Sequence, residues 1–294
     1  MMPRRRFLTT VAGLPAASSL LAQTAATTQP KTGYAPINGL RLYYEIHGTG
    51  EPLILLHGGV GSTGMFASIL PELSKSRQVI AVDLQGHGRT ADIDRPLKIE
   101  TMADDIAGLM RHFRIDSADV MGYSLGGEVA LRTAIQHPRV VRKMVGVSST
   151  FRRDGWYPEI LAGMSQMGAA AAEPMKHTPM YEMYSRIAPN PDDWPVLLTK
   201  LGDLLRQDYD WSKEVAAIHS PTMLVFGDAD AVRPVHAVQF FELLGGGKKD
   251  GGWDGSGISR ARLAILPGLT HYNVFSSAAL PAAVIPFLEA NARG

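Results

Sequence analysis

One stretch of the sequence combines residue types and spacing that suit covalent chemistry. Gly122-Tyr123-Ser124-Leu125-Gly126 follows the apolar residues Val120 and Met121 and opens a helix-period run from Leu125 to Gln136. This is a G-x-S-x-G nucleophile elbow in the strand-then-helix setting that it needs. A sharp turn there forces the serine into a strained backbone conformation, so its neighbours two places away must lack side chains. The serine Oγ stands at the helix start, where backbone N–H groups and the helix dipole favour negative charge on an adjacent oxygen. One such N–H belongs to Leu125, directly after the candidate nucleophile Ser124.

A serine hydroxyl is a weak nucleophile at neutral pH and needs a base. Past Pro138 lie His177, His219, His236 and His271, and the order expected after such an elbow is serine, acid, histidine. His271 follows the apolar run Leu263 to Leu266 and a turn-like Pro267-Gly268-Leu269-Thr270, at the carboxyl end of a predicted strand. His236 falls inside a predicted helix, His219 before a strand and His177 in an irregular segment, so these are expected to be structural or solvated. The acid should close the strand Thr222 to Phe226, which ends in Gly227-Asp228-Ala229-Asp230. Spacing does not separate Asp228 from Asp230. Whichever is not the acid would serve as a cap or turn residue.

These residues need a scaffold that brings strand ends together. Short apolar runs bounded by Gly or Asp recur at Pro52–Leu56, Val79–Val82, Val120–Met121, Val140–Val147, Thr222–Phe226 and Leu263–Leu266. Such runs suit strands buried on both faces of a parallel sheet. Leu40 to His47 alternates and predicts an outer strand. Between the runs, Met102, Ile106, Leu109, Met110 and Phe113 give one apolar helix face. Leu125–Gln136, Val235–Leu244 and Ala279–Ala290 predict further helices. Alternating strands and helices imply a mainly parallel α/β sheet, with ligands bound beyond the carboxyl ends of the strands. Residues 150–213 break the rhythm and are too long for a bare loop, so they should carry helices of their own. Most of their Met and aromatic residues are expected to pack that subdomain, and some to form a lid. Residues 245–257 are Gly-rich and predict a mobile surface loop.

Five motifs occur in order: His57-Gly58-Gly59; Asp83-x-x-Gly86-His87-Gly88-Arg89-Thr90; Gly122-x-Ser124-x-Gly126-Gly127; Gly227-Asp228-x-Asp230-x-x-x-Pro234; and Pro267-Gly268-x-x-His271. Together they resemble the α/β-hydrolase superfamily over about residues 33–292. The resemblance implies a mainly parallel eight-stranded sheet flanked by helices, with a core at 33–149 and 214–294. It makes residues 150–213 a helical cap inserted after the sixth strand. It also selects Asp230, four residues before Pro234, as the acid, and gives the second oxyanion-hole N–H to Gly59. His57 and His87 are then structural, and residues 83–90 form a turn near the site. The implied chemistry is two-step acyl transfer, and the Met- and Tyr-rich segment at 150–213 suggests an apolar pocket that fits a small, hydrophobic carboxylic ester. The same scaffold also hosts lactonases, amidases, C–C bond hydrolases, perhydrolases and receptors that bind without turnover. Serine at the elbow argues against the dehalogenase and epoxide hydrolase relatives, which carry aspartate there.

Composition narrows the partners. The 294 residues are 45% hydrophobic and 19% charged, enough for a large core. The net charge of +1, with no basic run past the first residues, argues against nucleic acid. There is no cysteine, which excludes disulfides and thiol chemistry. No metal site or cofactor is expected: histidines are scattered without H-x-x-x-H spacing, and Gly58-Gly59-Val60-Gly61 lacks the form of a phosphate loop. Residues 1–26 read as an export signal. Arg4-Arg5-Arg6-Phe7-Leu8 resembles a twin-arginine signal, and a diluted apolar run to Leu21 and small residues at 22, 25 and 26 follow. The run is too short to span a bilayer. Residues 27–32 read as a linker, and a periplasmic or extracellular location is expected. Removing residues 1–21 would take away three arginines and no acid, turning the net charge from +1 to −2.

Overall fold

The computed structural model describes residues 29–290; the export signal read at 1–26 lies outside the described residues. Eight strands form one sheet: β1 (Lys31–Ile37), β2 (Leu40–His47), β3 (Glu51–Leu56), β4 (Arg77–Val82), β5 (Ala118–Tyr123), β6 (Val141–Val147), β7 (Thr222–Ala229) and β8 (Ala261–Thr270). Their order is β1-β2-β4-β3-β5-β6-β7-β8. β1 and β2 pair antiparallel, as do β2 and β4, and from β4 to β8 every pairing is parallel. Among the described residues, ten α-helices accompany them: α1 (Leu70–Leu73), α2 (Ile99–His112), α3 (Leu125–Gln136), α4 (Pro158–Ser165), α5 (Ala172–Met175), α6 (Pro179–Ile187), α7 (Trp194–Leu205), α8 (Ser212–Ala216), α9 (Pro234–Leu243) and α10 (Ala279–Glu289).

The period of two divides the core between the two faces of the sheet. In β3, Leu53 and Leu55 pack with Phe66 and Val284, whereas Ile54 and Leu56 pack with Ile106 and Leu131. Each side chain buried in this way contributes about 1.5–3 kcal/mol. The wholly apolar runs of β3 and β5 are explained by these two faces, since helices cover both.

Five expectations are corrected. β2 is not outermost, because β1 lies outside it across the Asn38-Gly39 turn, with φ of 48° and 88°. Lys31 and Thr32, assigned to the linker, already belong to β1. Gly33 and Pro36 hide that strand in the sequence, and an edge strand tolerates both. β8 is half-exposed rather than buried on both faces. It also runs on through Thr270, so the turn expected at 267–270 is strand. Finally, the excursion between β6 and β7 closes on itself before residue 213. Arg152 bridges Asp210, and the Trp211 N–H donates to the Phe151 carbonyl at 3.0 Å, so the boundary at 213 falls inside α8.

Helices α4 to α7 fill that excursion and lie over the carboxyl ends of the strands. Aromatic residues pack the excursion from within: Trp194 is fully buried, its Nε1 donates to the Ala172 carbonyl at 3.1 Å, and Tyr181 and Tyr184 pack on its ring. Lys200 of α7 ties the excursion to the core through Asp92 Oδ2 at 2.5 Å and the carbonyls of Ile93 and Arg95. Residues 245–257 form an exposed loop from which Trp253 projects. Among the described residues, no helix is long and apolar enough to cross a membrane.

Candidate active site

The strand-to-helix turn after β5 has the geometry that its sequence demands. Ser124 adopts φ 52° and ψ −120°, a conformation that L-residues rarely hold, and it serves as the N-cap residue of α3. A side chain at Gly122 would collide with the Gly126 carbonyl, and one at Gly126 with the carbonyls of Leu56 and His57. At Gly127, a Cβ would lie 2.6 Å from that of Ser149. The glycines therefore let α3 press against β5 and β3 while the serine is held strained at the top.

Extension of β7 and β8 past the sheet brings Asp230 and His271 to that serine. Ala229 pairs with Thr270, so the next residues on the two strands, Asp230 and His271, emerge side by side. His271 Nδ1 lies 3.0 Å from Asp230 Oδ1, and His271 Nε2 lies 3.1 Å from Ser124 Oγ. Asp228 does different work: its exposed Oδ1 accepts the Gly268 N–H at 2.7 Å and ties the two strand ends together. Geometry thus separates the two aspartates that spacing left open.

Asp230 is buried and fully hydrogen-bonded. Its Oδ1 also accepts the Val232 N–H, while Oδ2 accepts the Gly227 N–H and the Ser148 hydroxyl. Burial raises its carboxyl, but the hydrogen bond and charge of His271, with Ser148 and the Val232 N–H, outweigh burial and hold it below the usual carboxylate range. Ser148 sits at φ 50°, a second strained residue at a strand end. Tyr123 holds the His271 backbone. Its hydroxyl donates to the His271 carbonyl at 2.7 Å, and burial pushes that hydroxyl up, which keeps it a neutral donor. Trp156 meets the His271 ring edge-on with centroids 5.3 Å apart.

The N–H donors proposed for an oxyanion line the same cavity as Ser124 and His271. Leu125 is the first residue of α3, so its N–H has no acceptor within the helix. Gly59 belongs to a tight turn closed by the Gly61 N–H on the Gly58 carbonyl at 3.1 Å, with Val60 at φ 53°. His57 fixes this turn. Its Nε2 accepts the Leu84 N–H at 3.0 Å, so Nδ1 carries the proton and donates to the Gly58 carbonyl at 2.7 Å. Burial pushes His57 down to about 4 and His87 to about 3, so both are neutral struts. His236 is likewise buried, stacked on Phe151 with centroids 4.1 Å apart, while His177 and His219 are exposed.

A cavity of about 660 Å³ opens above Ser124. Its walls are mainly apolar, with Met164, Met167, Met180 and Met183 from the excursion and Leu201 over the Gly59 turn. Sequence reasoning missed three residues of this site: Ser148, the Tyr123 hydroxyl, and Glu128, which also lines the cavity. A signal existed for Glu128. It is the one acid in the buried helix α3 and falls four residues after Ser124, on the same helix face.

Comparisons with known proteins agree with this architecture. Residues 51–267 match the family model described as the alpha/beta hydrolase fold. The chain belongs to the α/β-hydrolase family. Membership assigns this family member to the hydrolases. It is 34% identical over 205 residues to a pimeloyl-[acyl-carrier protein] methyl ester esterase of Neisseria meningitidis, covering 63% of this chain and 76% of that one. A 2-hydroxymuconate semialdehyde hydrolase of Pseudomonas sp. is 36% identical over 115 residues, covering 38% and 41%. A carboxylesterase structure from Bacillus subtilis superposes with TM-score 0.69 over 89% of this chain and 92% of that one, and at 18% identity this likeness speaks to the fold alone.

Proposed function

We propose that this α/β-hydrolase cleaves a small, hydrophobic carboxylic ester through an acyl-enzyme on Ser124. The observation that carries the reading is the chain of contacts from Ser124 Oγ through His271 to Asp230 at the wall of an apolar cavity. His271 Nε2 takes the Ser124 proton as Oγ forms a bond to the substrate carbonyl carbon. The carbonyl oxygen becomes an oxyanion held by the Gly59 and Leu125 N–H groups. As the tetrahedral centre collapses, the bond to the leaving alkoxide breaks and His271 returns the proton to it. Water then repeats the sequence, releasing acid and free Ser124. Asp230 holds the imidazole with its proton on Nδ1 and balances the positive charge formed in each step. A methyl ester esterase among the relatives supports the choice of bond.

The relative named for a semialdehyde substrate makes carbon–carbon hydrolysis the second reading. Initial rates on p-nitrophenyl esters of increasing acyl length, beside a vinylogous diketone panel, decide between them. Ester turnover should fall at least about 10⁴-fold in Ser124→Ala. Diketone cleavage without ester turnover would replace the ester reading. Export is proposed on the Arg4-Arg5-x-Phe7-Leu8 order alone. Replacing Arg4 and Arg5 with lysine should leave the precursor in the cytoplasmic fraction.

A further inference from the structure

The reaction just described makes no use of Glu128, although Glu128 is placed where a substrate must lie. Its N–H donates to the Ser124 carbonyl at 3.0 Å, so it stands one helical turn behind the nucleophile. Helical side chains tilt towards the helix N-terminus. That tilt leans its side chain back towards the Ser124 turn, and Glu128 lines the same cavity as Ser124. The residue is only 7% exposed.

The two carboxyl oxygens differ. Oε1 is occupied, accepting from the Thr150 hydroxyl at 2.9 Å and the Tyr209 hydroxyl at 2.8 Å. Oε2 accepts from no other described residue and is not sealed off by protein, and Glu128 lines both the cavity above Ser124 and a smaller neighbouring one walled by Arg153, Tyr209 and Trp211. A carboxyl oxygen that is open to a cavity and has no protein donor can accept a hydrogen bond from a ligand. No lysine or arginine is among the residues lining the cavity above Ser124. The groups that hold the carboxyl down against burial are the two hydroxyls, and burial still pushes it up to about 7.

We infer that Glu128 is a specificity-determining residue whose Oε2 accepts a hydrogen bond from a hydroxyl or ammonium group on the substrate, and which turns away substrates bearing a second, ionised carboxylate. The apolar walls hold the hydrocarbon part of the ligand. Glu128 reads its polar end at a fixed depth below the reacting carbonyl. Above about pH 7, where the Glu128 carboxyl is ionised, an anionic end finds an acidic oxygen there, a second acid in Glu159 and no cation among the residues lining this cavity.

This inference rests on the ester reading for its substrate class but not for its test. Two measurements are needed on wild type and Glu128→Gln. The first is kcat/KM for p-nitrophenyl esters of equal chain length ending in methyl, hydroxyl or carboxylate. Wild type should favour the hydroxyl over the carboxylate ester by about tenfold or more, and Glu128→Gln should lose most of that ratio. The second is calorimetric binding of unreactive alkylammonium and alkylcarboxylate ions of the same length, which requires no turnover. Preference for the cation in wild type, lost in the variant, supports the inference even where every ester is inert. Equal ratios in the two proteins, in either measurement, overturn it. Inert esters with intact cation preference would sink only the ester reading.

Discussion

At the scale of single residues, the site depends on partners that the sequence does not advertise. Ser148 is one: its hydroxyl donates to Asp230 Oδ2, the oxygen that His271 does not use. Ser148→Ala should lower kcat about tenfold with little change in KM, because the carboxylate loses one of the donors that orient it. Equal losses in kcat and kcat/KM would report an interaction that matters in the transition state, whereas a rise in KM alone would assign Ser148 to ground-state binding. His236 makes a separate, pH-dependent contribution to stability. Burial, with Arg152, pushes it down to about 4, from an ordinary value of 6.5. A histidine held neutral in the fold contributes stability above its unfolded pKa. That stability is lost as pH falls from about 6.5 through about 4, where only the unfolded chain takes up the proton. Against His236→Gln, the wild type should lose on the order of 1 kcal/mol per pH unit across that window. Parallel stability curves from urea titrations would show that His236 is not held neutral.

At the scale of elements, the extension of β7 and β8 decides whether the acid and the base meet. Asp228 fastens the extension at Gly268, which sits at φ 71°. Asp228→Ala should cost about 1 kcal/mol in stability and lower kcat several-fold, because Asp230 and His271 no longer emerge from a tied pair of strand ends. Unchanged kcat alongside a lowered Tm would limit Asp228 to a structural role. This extension also marks where sequence reading ran out. Wholly apolar runs such as Leu53–Leu56 announced the central strands, because burial on both faces leaves no alternation to misread. The elbow was legible because its glycines answer to steric limits between neighbours in the chain. Pro267 and Gly268 read as a turn, since their role as strand depends on Asp228, which is distant in sequence. β1 stayed hidden for a similar reason: its edge position excuses a proline that a central strand would reject. Ser148 and the depth at which Glu128 lies were likewise set by tertiary contacts.

At the scale of the whole molecule, the sheet delivers serine, acid and base from three strand ends, and the excursion between β6 and β7 supplies an apolar roof. Lys200 and the stem at Arg152 and Asp210 anchor that roof to the core. Methionine lining gives a cavity wall that adapts to ligands of different shape, and Glu128 adds an acidic group to it. The whole arrangement stands or falls on a covalent bond to Ser124. The decisive measurement is rapid-quench mass spectrometry during turnover of p-nitrophenyl butyrate, with peptide mapping of the quenched protein. One butyryl group should appear on the peptide containing Ser124, formed no more slowly than steady-state turnover and absent from Ser124→Ala. Turnover that proceeds with Ser124 unmodified, or with the acyl group on another residue, would contradict the assignment.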